Sequence, residues 1–210
     1  MEGPVIIEAE GPARLSCVLV HGRGQTPADL APLVEAARGA SARIVMPVAD
    51  GKSWYKARAV DPLTPETLAE LNAALDVLHA AVLAAHDPAL PLLLAGFSQG
   101  ACLSAEYLMR RGSADGLCIL TGARVGTRAD VLPVSRRTQV PVYLTGAHAD
   151  PWITLEAYEG LAADLHRAGV RLRCDLFPRR SHEISVPEVA AFTEMAESLA
   201  SARFPFGDAL

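Results

Sequence analysis

Leu92-Leu93-Leu94-Ala95-Gly96-Phe97-Ser98-Gln99-Gly100-Ala101-Cys102 reads as a buried strand that stops at a glycine, exposes one serine and restarts as a helix after a second glycine. A Gly-X-Ser-X-Gly pentapeptide sets its serine on a sharp strand-to-helix turn, because the small residues on either side let the two backbones approach without a Cβ clash. Chance alone supplies such a pentapeptide in about one chain in twenty of this length. The other strand ends must therefore show whether the serine has partners.

Outward from this stretch, short apolar runs alternate with helical patterns. Val5 to Ala9 reads as a short edge strand, and Leu15 to Val20 as a buried one ending at His21-Gly22-Arg23-Gly24. The run from Pro27 to Ala37 has helical composition, and Ile44-Val45-Met46 is a short strand closed by Pro47. A loop from Asp50 to Thr64 carries Trp54 and Tyr55. Pro65 then opens a long helix, with Leu68, Leu71, Leu75, Leu78 and Val82 spaced three and four apart on one face.

Beyond the serine, Gln99 to Arg110 reads as a helix capped by Gly112. Strands follow at Leu117–Leu120, Val140–Leu144 and Val170–Phe177, with helices around Leu155–Leu165 and Val189–Leu199. Continuous apolar strands alternating with helices predict an α/β fold, a mainly parallel sheet flanked by helices on both faces. In such sheets ligands bind beyond the carboxyl ends of the strands, at the loops that begin here with His21, Pro47, Gly96, Thr121, Gly146 and Pro178.

At 210 residues, with no internal repeat, the chain reads as a single domain, 1–210. A net charge of -5 without a long basic run argues against nucleic-acid binding. Met1-Glu2-Gly3-Pro4 lacks a basic segment followed by an apolar one, and no apolar run approaches the ~18 residues of a spanning helix. A cytoplasmic location without an integral membrane segment is the expectation. Cys17, Cys102, Cys118 and Cys174 fall singly in apolar segments and are expected to be buried, reduced thiols. Homo-oligomerisation is left open.

A serine hydroxyl needs a base, usually a histidine whose far nitrogen is held by a carboxylate. Of the six histidines, His79, His86 and His166 fall on predicted helices, and His21 precedes the serine. His148 and His182 remain. His182 stands in the polar loop Pro178-Arg179-Arg180-Ser181-His182-Glu183, between the last strand and the last helix. For the carboxylate, Asp150 in Gly146-Ala147-His148-Ala149-Asp150-Pro151 lies directly after a strand. Asp130 is mid-loop, Asp175 is within a strand, and Glu183 is adjacent to the histidine it would orient. Taken singly, Asp150 could be a helix cap and His182 a surface residue. Together the order Ser98, Asp150, His182 is that of the α/β-hydrolases.

The oxyanion of a tetrahedral intermediate needs N–H donors, in this fold one from the residue after the nucleophile, here Gln99, and one from a loop after an early strand. His21-Gly22-Arg23-Gly24 is such a loop, and Arg23 is assigned the second donor. A dinucleotide reading of this loop fails because Pro27 stands where a third glycine belongs. A metalloprotease reading of His182-Glu183 fails because Val186 replaces the second histidine.

His-Gly-X-Gly after a strand, Gly-Phe-Ser-Gln-Gly, the Gly-X-X-X-Asp-Pro loop and the late histidine together resemble the phospholipase/carboxylesterase family of α/β-hydrolases, over roughly Leu15 to Ala200. The resemblance implies an α/β-hydrolase fold without a large cap domain, acting on carboxylic esters or thioesters with no cofactor and no metal. It places Ser98, Asp150 and His182 at the triad positions and Arg23 and Gln99 at the oxyanion hole. Trp54 resembles a tryptophan common in the corresponding loop of that family.

Trp54 and Tyr55 are accordingly candidate substrate-binding residues, with Phe177 a further candidate that could equally be core. Lys52, Lys56, Arg58, Arg124, Arg128, Arg179 and Arg180 all fall in loops at the predicted catalytic end of an acidic chain, which makes a small anionic ester a candidate substrate; polar loops in general are the plainer account. The expected activity is carboxylesterase. Acyl-thioesterase and lysophospholipase are alternatives within the family, a perhydrolase or dienelactone-type hydrolase within the fold, and a non-catalytic ligand-binding protein outside enzymology.

Overall fold

Along the chain run β1 (Val5–Ile7), β2 (Leu15–Val20), α1 (Ala31–Gly39), β3 (Ala42–Met46), α2 (Pro65–Ala85), β4 (Leu92–Phe97), α3 (Gln99–Arg110), β5 (Gly116–Leu120), β6 (Pro141–Ala147), α4 (Leu155–Ala168), β7 (Arg171–Phe177) and α5 (Val186–Ala200). This computed structural model describes residues 3–135 and 139–206; Met1 and Glu2 of the N-terminal segment considered above lie outside them. The seven strands form one sheet in the order β1-β3-β2-β4-β5-β6-β7. β1 pairs antiparallel with β3, and every other pairing is parallel. This is the α/β-hydrolase arrangement.

Strand alternation divides the core into two layers. Val18, Val20, Leu92, Leu94, Leu117 and Ile119 pack with α2, α3 and α4 on one face. Leu15, Cys17, Leu19, Leu93, Ala95 and Cys118 pack with α1 and α5 on the other. β2, β4, β5 and β6 are buried along their whole length, which is why they read as unbroken apolar runs. β7 closes the sheet as an edge strand and is only partly covered.

α2 begins at Pro65 after Thr64, whose hydroxyl accepts the Thr67 N–H at 3.1 Å. Leu71, Leu75 and Leu78 along its inner face are fully buried, each worth about 1.5–3 kcal/mol of transfer free energy. By length and composition this helix is apolar enough to cross a membrane, with a mean hydropathy of 1.5. This departs from the expectation that no apolar run reaches spanning length; Glu70 and Asp76 interrupt the pattern in the sequence.

Three local readings are corrected. Strand β4 runs on through Gly96 and Phe97, since Gly96 still pairs with Val20 and Ile119. Gly112 ends α3 without a left-handed backbone: its N–H bonds to the Tyr107 carbonyl, and a Cβ there would meet the Tyr107 hydroxyl at 2.4 Å. Cys17, Cys102 and Cys118 are buried free thiols, but Cys174 is exposed because edge strand β7 turns one side to solvent.

The centre of the sheet leaves no room for side chains at the end of β4. A Cβ on Gly96 would stand 2.3 Å from the Gly100 carbonyl oxygen, backbone that cannot move aside cheaply. Gly96→Ala is therefore expected to lower the unfolding free energy by about 3 kcal/mol or more in urea titration. Gly39→Ala, where nothing lies within 4 Å, is expected to be neutral or stabilising by about 0.5 kcal/mol.

Candidate active site

The turn between β4 and α3 is built by three backbones in contact. Gly96 abuts Gly100, and a Cβ on Gly100 would fall 2.2 Å from the Val20 carbonyl oxygen and 2.6 Å from that of His21, at the end of neighbouring β2. With both glycines pressed in, Ser98 takes φ 53° and ψ -118°, a conformation that costs a non-glycine residue about 1–3 kcal/mol. Its N–H is anchored on the Leu120 carbonyl at 3.0 Å. The strain is stored where the hydroxyl must project.

That hydroxyl meets His182. The loop between β7 and α5 places His182 Nε2 at 2.8 Å from Ser98 Oγ, and its Nδ1 at 2.7 Å from Asp150 Oδ2. With Nδ1–H donating to the carboxylate, Nε2 is left to accept from the serine. Asp150, in the loop between β6 and α4, is held by two amides: its Oδ1 accepts the Trp152 N–H at 2.9 Å and the Ile153 N–H at 2.8 Å. Burial pushes the Asp150 pKa up, but the bonds from His182, Ile153 and Trp152 outweigh it and hold the carboxyl below its ordinary value. Asp150 is thus an ionised, fixed partner. Phe97, the residue before the serine, sets its ring 5.1 Å from the His182 imidazole.

The loop after β2 closes on the serine from the other side. A Cβ on Gly22 would lie 3.2 Å from Ser98 Cβ, and the Gly22 N–H is taken by Gln25 Oε1 at 2.8 Å. The backbone N–H groups of Arg23 and Gln99 have no acceptor among the described residues. Gln99 is the first residue of α3, whose opening N–H groups are unpaired by construction. Two free donors therefore flank Ser98.

Buried His21 braces this loop. Its Nδ1 bonds to the Gly22 carbonyl at 2.8 Å and its Nε2 accepts the Ala49 N–H at 3.2 Å, an arrangement only the neutral ring can make. Burial lowers its pKa, against smaller opposing effects of the Gly22 carbonyl and Asp29.

Trp54 lies 5.0 Å from that ring and donates its Nε1–H to the His21 carbonyl at 2.8 Å. It is buried and does not line the cavity at Ser98, which corrects its reading as a substrate-binding residue. The Gln99 side chain locks the same segment, accepting the Trp54 N–H at 3.1 Å and donating to the Tyr55 carbonyl at 2.7 Å.

The cavity beside Ser98 measures about 200 Å³ and is lined by Ser98, Gln99 and His182 with Tyr55, Cys102, Trp152 and Ile153; Arg23, Arg58 and Ala59 complete its wall. Tyr55 is among the lining residues, though buried. Trp152, 59% exposed, was missed. The signal was present in the sequence: an aromatic residue two positions after the candidate carboxylate, in a polar loop. Phe177 is absent from the lining and packs under the Arg180 guanidinium at 5.0 Å. His148 is exposed, and its N–H bonds to the Phe177 carbonyl.

Most of the cationic loop residues are neutralised. Arg124 is buried between Glu106 and Asp164, Lys56 pairs with Glu66 and Glu70, Arg58 with Asp61 and Arg180 with Glu188. Arg23, at the cavity wall, has no carboxylate at ion-pair distance among the described residues; its guanidinium bonds to the Lys56 and Ala57 carbonyls and acts from farther off on Asp61 and Glu70. A larger cavity of about 450 Å³ lies between α4 and the loop after β5 and includes neither Ser98 nor His182. Among the described residues no three His, Cys, Asp or Glu side chains converge as a metal site.

No protein-family model and no curated protein matches the chain. Solved structures do. A phospholipase/carboxylesterase from Dyadobacter fermentans superposes with a TM-score of 0.80 at 26% identity, covering 93% of this chain and 98% of that one. YahD, determined with malic acid, gives 0.76 at 20% identity over 95% and 100%. The Bacillus cereus carboxylesterase gives 0.74 at 20% identity over 93% of each chain. In structure, as in its motifs, the chain resembles the phospholipase/carboxylesterase family of α/β-hydrolases.

Because the neutral form of His21 is the one built into the fold, the stability it contributes is present above the ordinary histidine pKa of 6.5 and is lost as pH falls below it. His21→Gln should flatten that part of the curve. Urea unfolding at pH 7.5 and 5.5 is expected to show a larger loss for the wild type than for the variant.

Proposed function

We propose that the protein is a carboxylic ester hydrolase that works through an acyl-enzyme on Ser98. One observation carries this reading: a strained serine has its Oγ 2.8 Å from an imidazole whose far nitrogen is 2.7 Å from a fixed carboxylate, with two unpaired backbone N–H groups beside it. A protein that only bound ligands would have no use for this combination. Resemblance to structures named carboxylesterase or phospholipase/carboxylesterase adds support.

In the proposed cycle His182 Nε2 takes the Ser98 proton as Oγ attacks the ester carbonyl carbon. The Arg23 and Gln99 N–H groups receive the oxyanion. On collapse, the C–O bond to the alcohol breaks and His182 returns its proton to the leaving oxygen. Water then repeats the sequence on the acyl-enzyme, with His182 as base, and releases the acid. Asp150 holds the Nδ1–H tautomer throughout and stabilises the imidazolium.

A cavity of about 200 Å³ is smaller than the ~300–1,000 Å³ usual for drug-sized ligands, which favours short acyl and alcohol groups over long lipid chains. Trp152 and Ile153 offer the apolar contact. The Arg23 guanidinium at the cavity wall favours an anionic substituent, a narrower basis than the seven cations of the sequence because most of those are paired.

The test is a panel of esters and matching thioesters of graded chain length, in neutral and anionic pairs. Short esters should be turned over, and Asp150→Asn should lower kcat by about four orders of magnitude. A fluorophosphonate probe should label the wild type and not Ser98→Ala. Absence of labelling, or equal labelling of both, would leave a non-catalytic binding protein as the better description. If Arg23 selects anions, the preference for the anionic ester weakens with added salt.

A further inference from the structure

His182 stands on residues 178–185, a segment with no helix or strand of its own, yet the proposed chemistry requires its imidazole to be fixed to a fraction of an ångström. The segment is held by a buried ion pair. The Arg180 and Glu188 side chains are 6% and 0% exposed, and the guanidinium Nη1 donates both to Glu188 and to the Glu183 carbonyl, the latter at 2.9 Å. These contacts lie on either side of His182 in the chain, so the pair closes a ring around the base.

The ring is bolted to the sheet. Arg180 Nη2 donates to Thr121 Oγ1 at the end of β5, and Glu188 accepts from Thr145 Oγ1 within β6. Thr145 Oγ1 in turn accepts the Thr121 N–H at 2.9 Å, and Thr121 sits at φ 58°. The residue before it, Leu120, receives the Ser98 N–H, while β6 leads directly into the Asp150 loop. One network thus ties the base to β6, which leads to the Asp150 loop, and to the end of β5, on which the Ser98 N–H is anchored.

Helix capping does not account for the arrangement. The Ser185 N–H and hydroxyl already bond to Glu188 Oε2 at 2.8 and 2.7 Å, a complete cap without any cation. Arg180 adds a charge removed from water, and its Nε is buried with no partner. Such a pair is a poor source of stability, since apolar replacement of both members is often neutral or stabilising.

We propose that Arg180 and Glu188 act together as positioning residues for His182, setting its imidazole between Ser98 and Asp150. The inference rests on His182 being the base of the proposed ester hydrolysis, and neither side chain lines the cavity at Ser98.

Its test uses the full-length chain and two readouts. In kinetics with a short p-nitrophenyl ester, Arg180→Ala and the double variant Arg180→Met/Glu188→Gln should lower kcat by about 100-fold with KM nearly unchanged, the cost of a misplaced catalytic group. Millimolar guanidinium, and not the same concentration of sodium chloride, should restore part of the Arg180→Ala loss. The double variant removes both charges, so it should melt at or above the wild-type temperature while staying slow, which separates positioning from folding.

The second readout needs no turnover: the low-field proton resonance of the His182 Nδ1–H bonded to Asp150 should be visible in the wild type and lost to exchange in Arg180→Ala. Folded variants with kcat within threefold of wild type and the resonance intact would overturn the inference. A wild type that shows the resonance, loses it in Arg180→Ala and hydrolyses no ester would instead overturn the proposed activity and keep the positioning.

Discussion

The contact between Gly96, Gly100 and the end of β2 is the constraint on which the rest of the site depends. Backbone carbonyls stand within 2.3 Å of where a Cβ would sit at either glycine, so strand, helix and neighbouring strand meet with no side chain between them. That closeness holds Ser98 at a positive φ of 53°, and α3 opens directly after it with its first N–H groups unpaired. The position of Ser98 and the free Gln99 N–H beside it are two consequences of one steric fact. The loop carrying the free Arg23 N–H is set by the next contact outward, Gly22 against Ser98.

Around this centre the loops are held by polar groups that are themselves buried. Neutral His21 and Trp54 brace the loop after β2, the Gln99 amide locks the segment at Tyr55, and two amides grip Asp150. A similar device recurs twice with charge. Arg180 and Glu188 secure the loop carrying His182, while Arg124 bridges Glu106 of α3 and Asp164 of α4, and Glu106 also accepts the Val125 N–H. Desolvation acts to raise the Glu106 pKa, yet the adjacent Arg124 and Arg110 guanidinium groups more than offset it and keep the carboxyl below its ordinary value. Loops at the carboxyl ends of the strands would otherwise be free to wander, and a site assembled from several of them needs such anchors.

The sequence was most legible where the signal is local. Period and proline at helix starts placed the strands and helices to within a few residues, and strand-end position singled out Ser98, Asp150 and His182, which the fold brings into hydrogen-bond contact. It was least legible for side-chain direction. Trp54 and Trp152 both stand in loops, and only one faces the cavity, because Trp54 finds a buried acceptor in the His21 carbonyl while Trp152 lies next to the amides that bind Asp150. Loop cations read as a charged rim, yet Arg124 and Arg180 are interior.

What the sequence by itself determined is therefore the alternation of strand and helix, the turn at Ser98 and the order of the polar residues at the strand ends, since each depends on neighbours a few positions away. Only the tertiary structure decided which aromatic meets the cavity, which cations are already neutralised and what holds His182 in place. Those outcomes join residues such as Arg180 and Thr121, or Arg124 and Asp164, that are far apart in the chain, and whether they meet is set by the packing of the whole sheet.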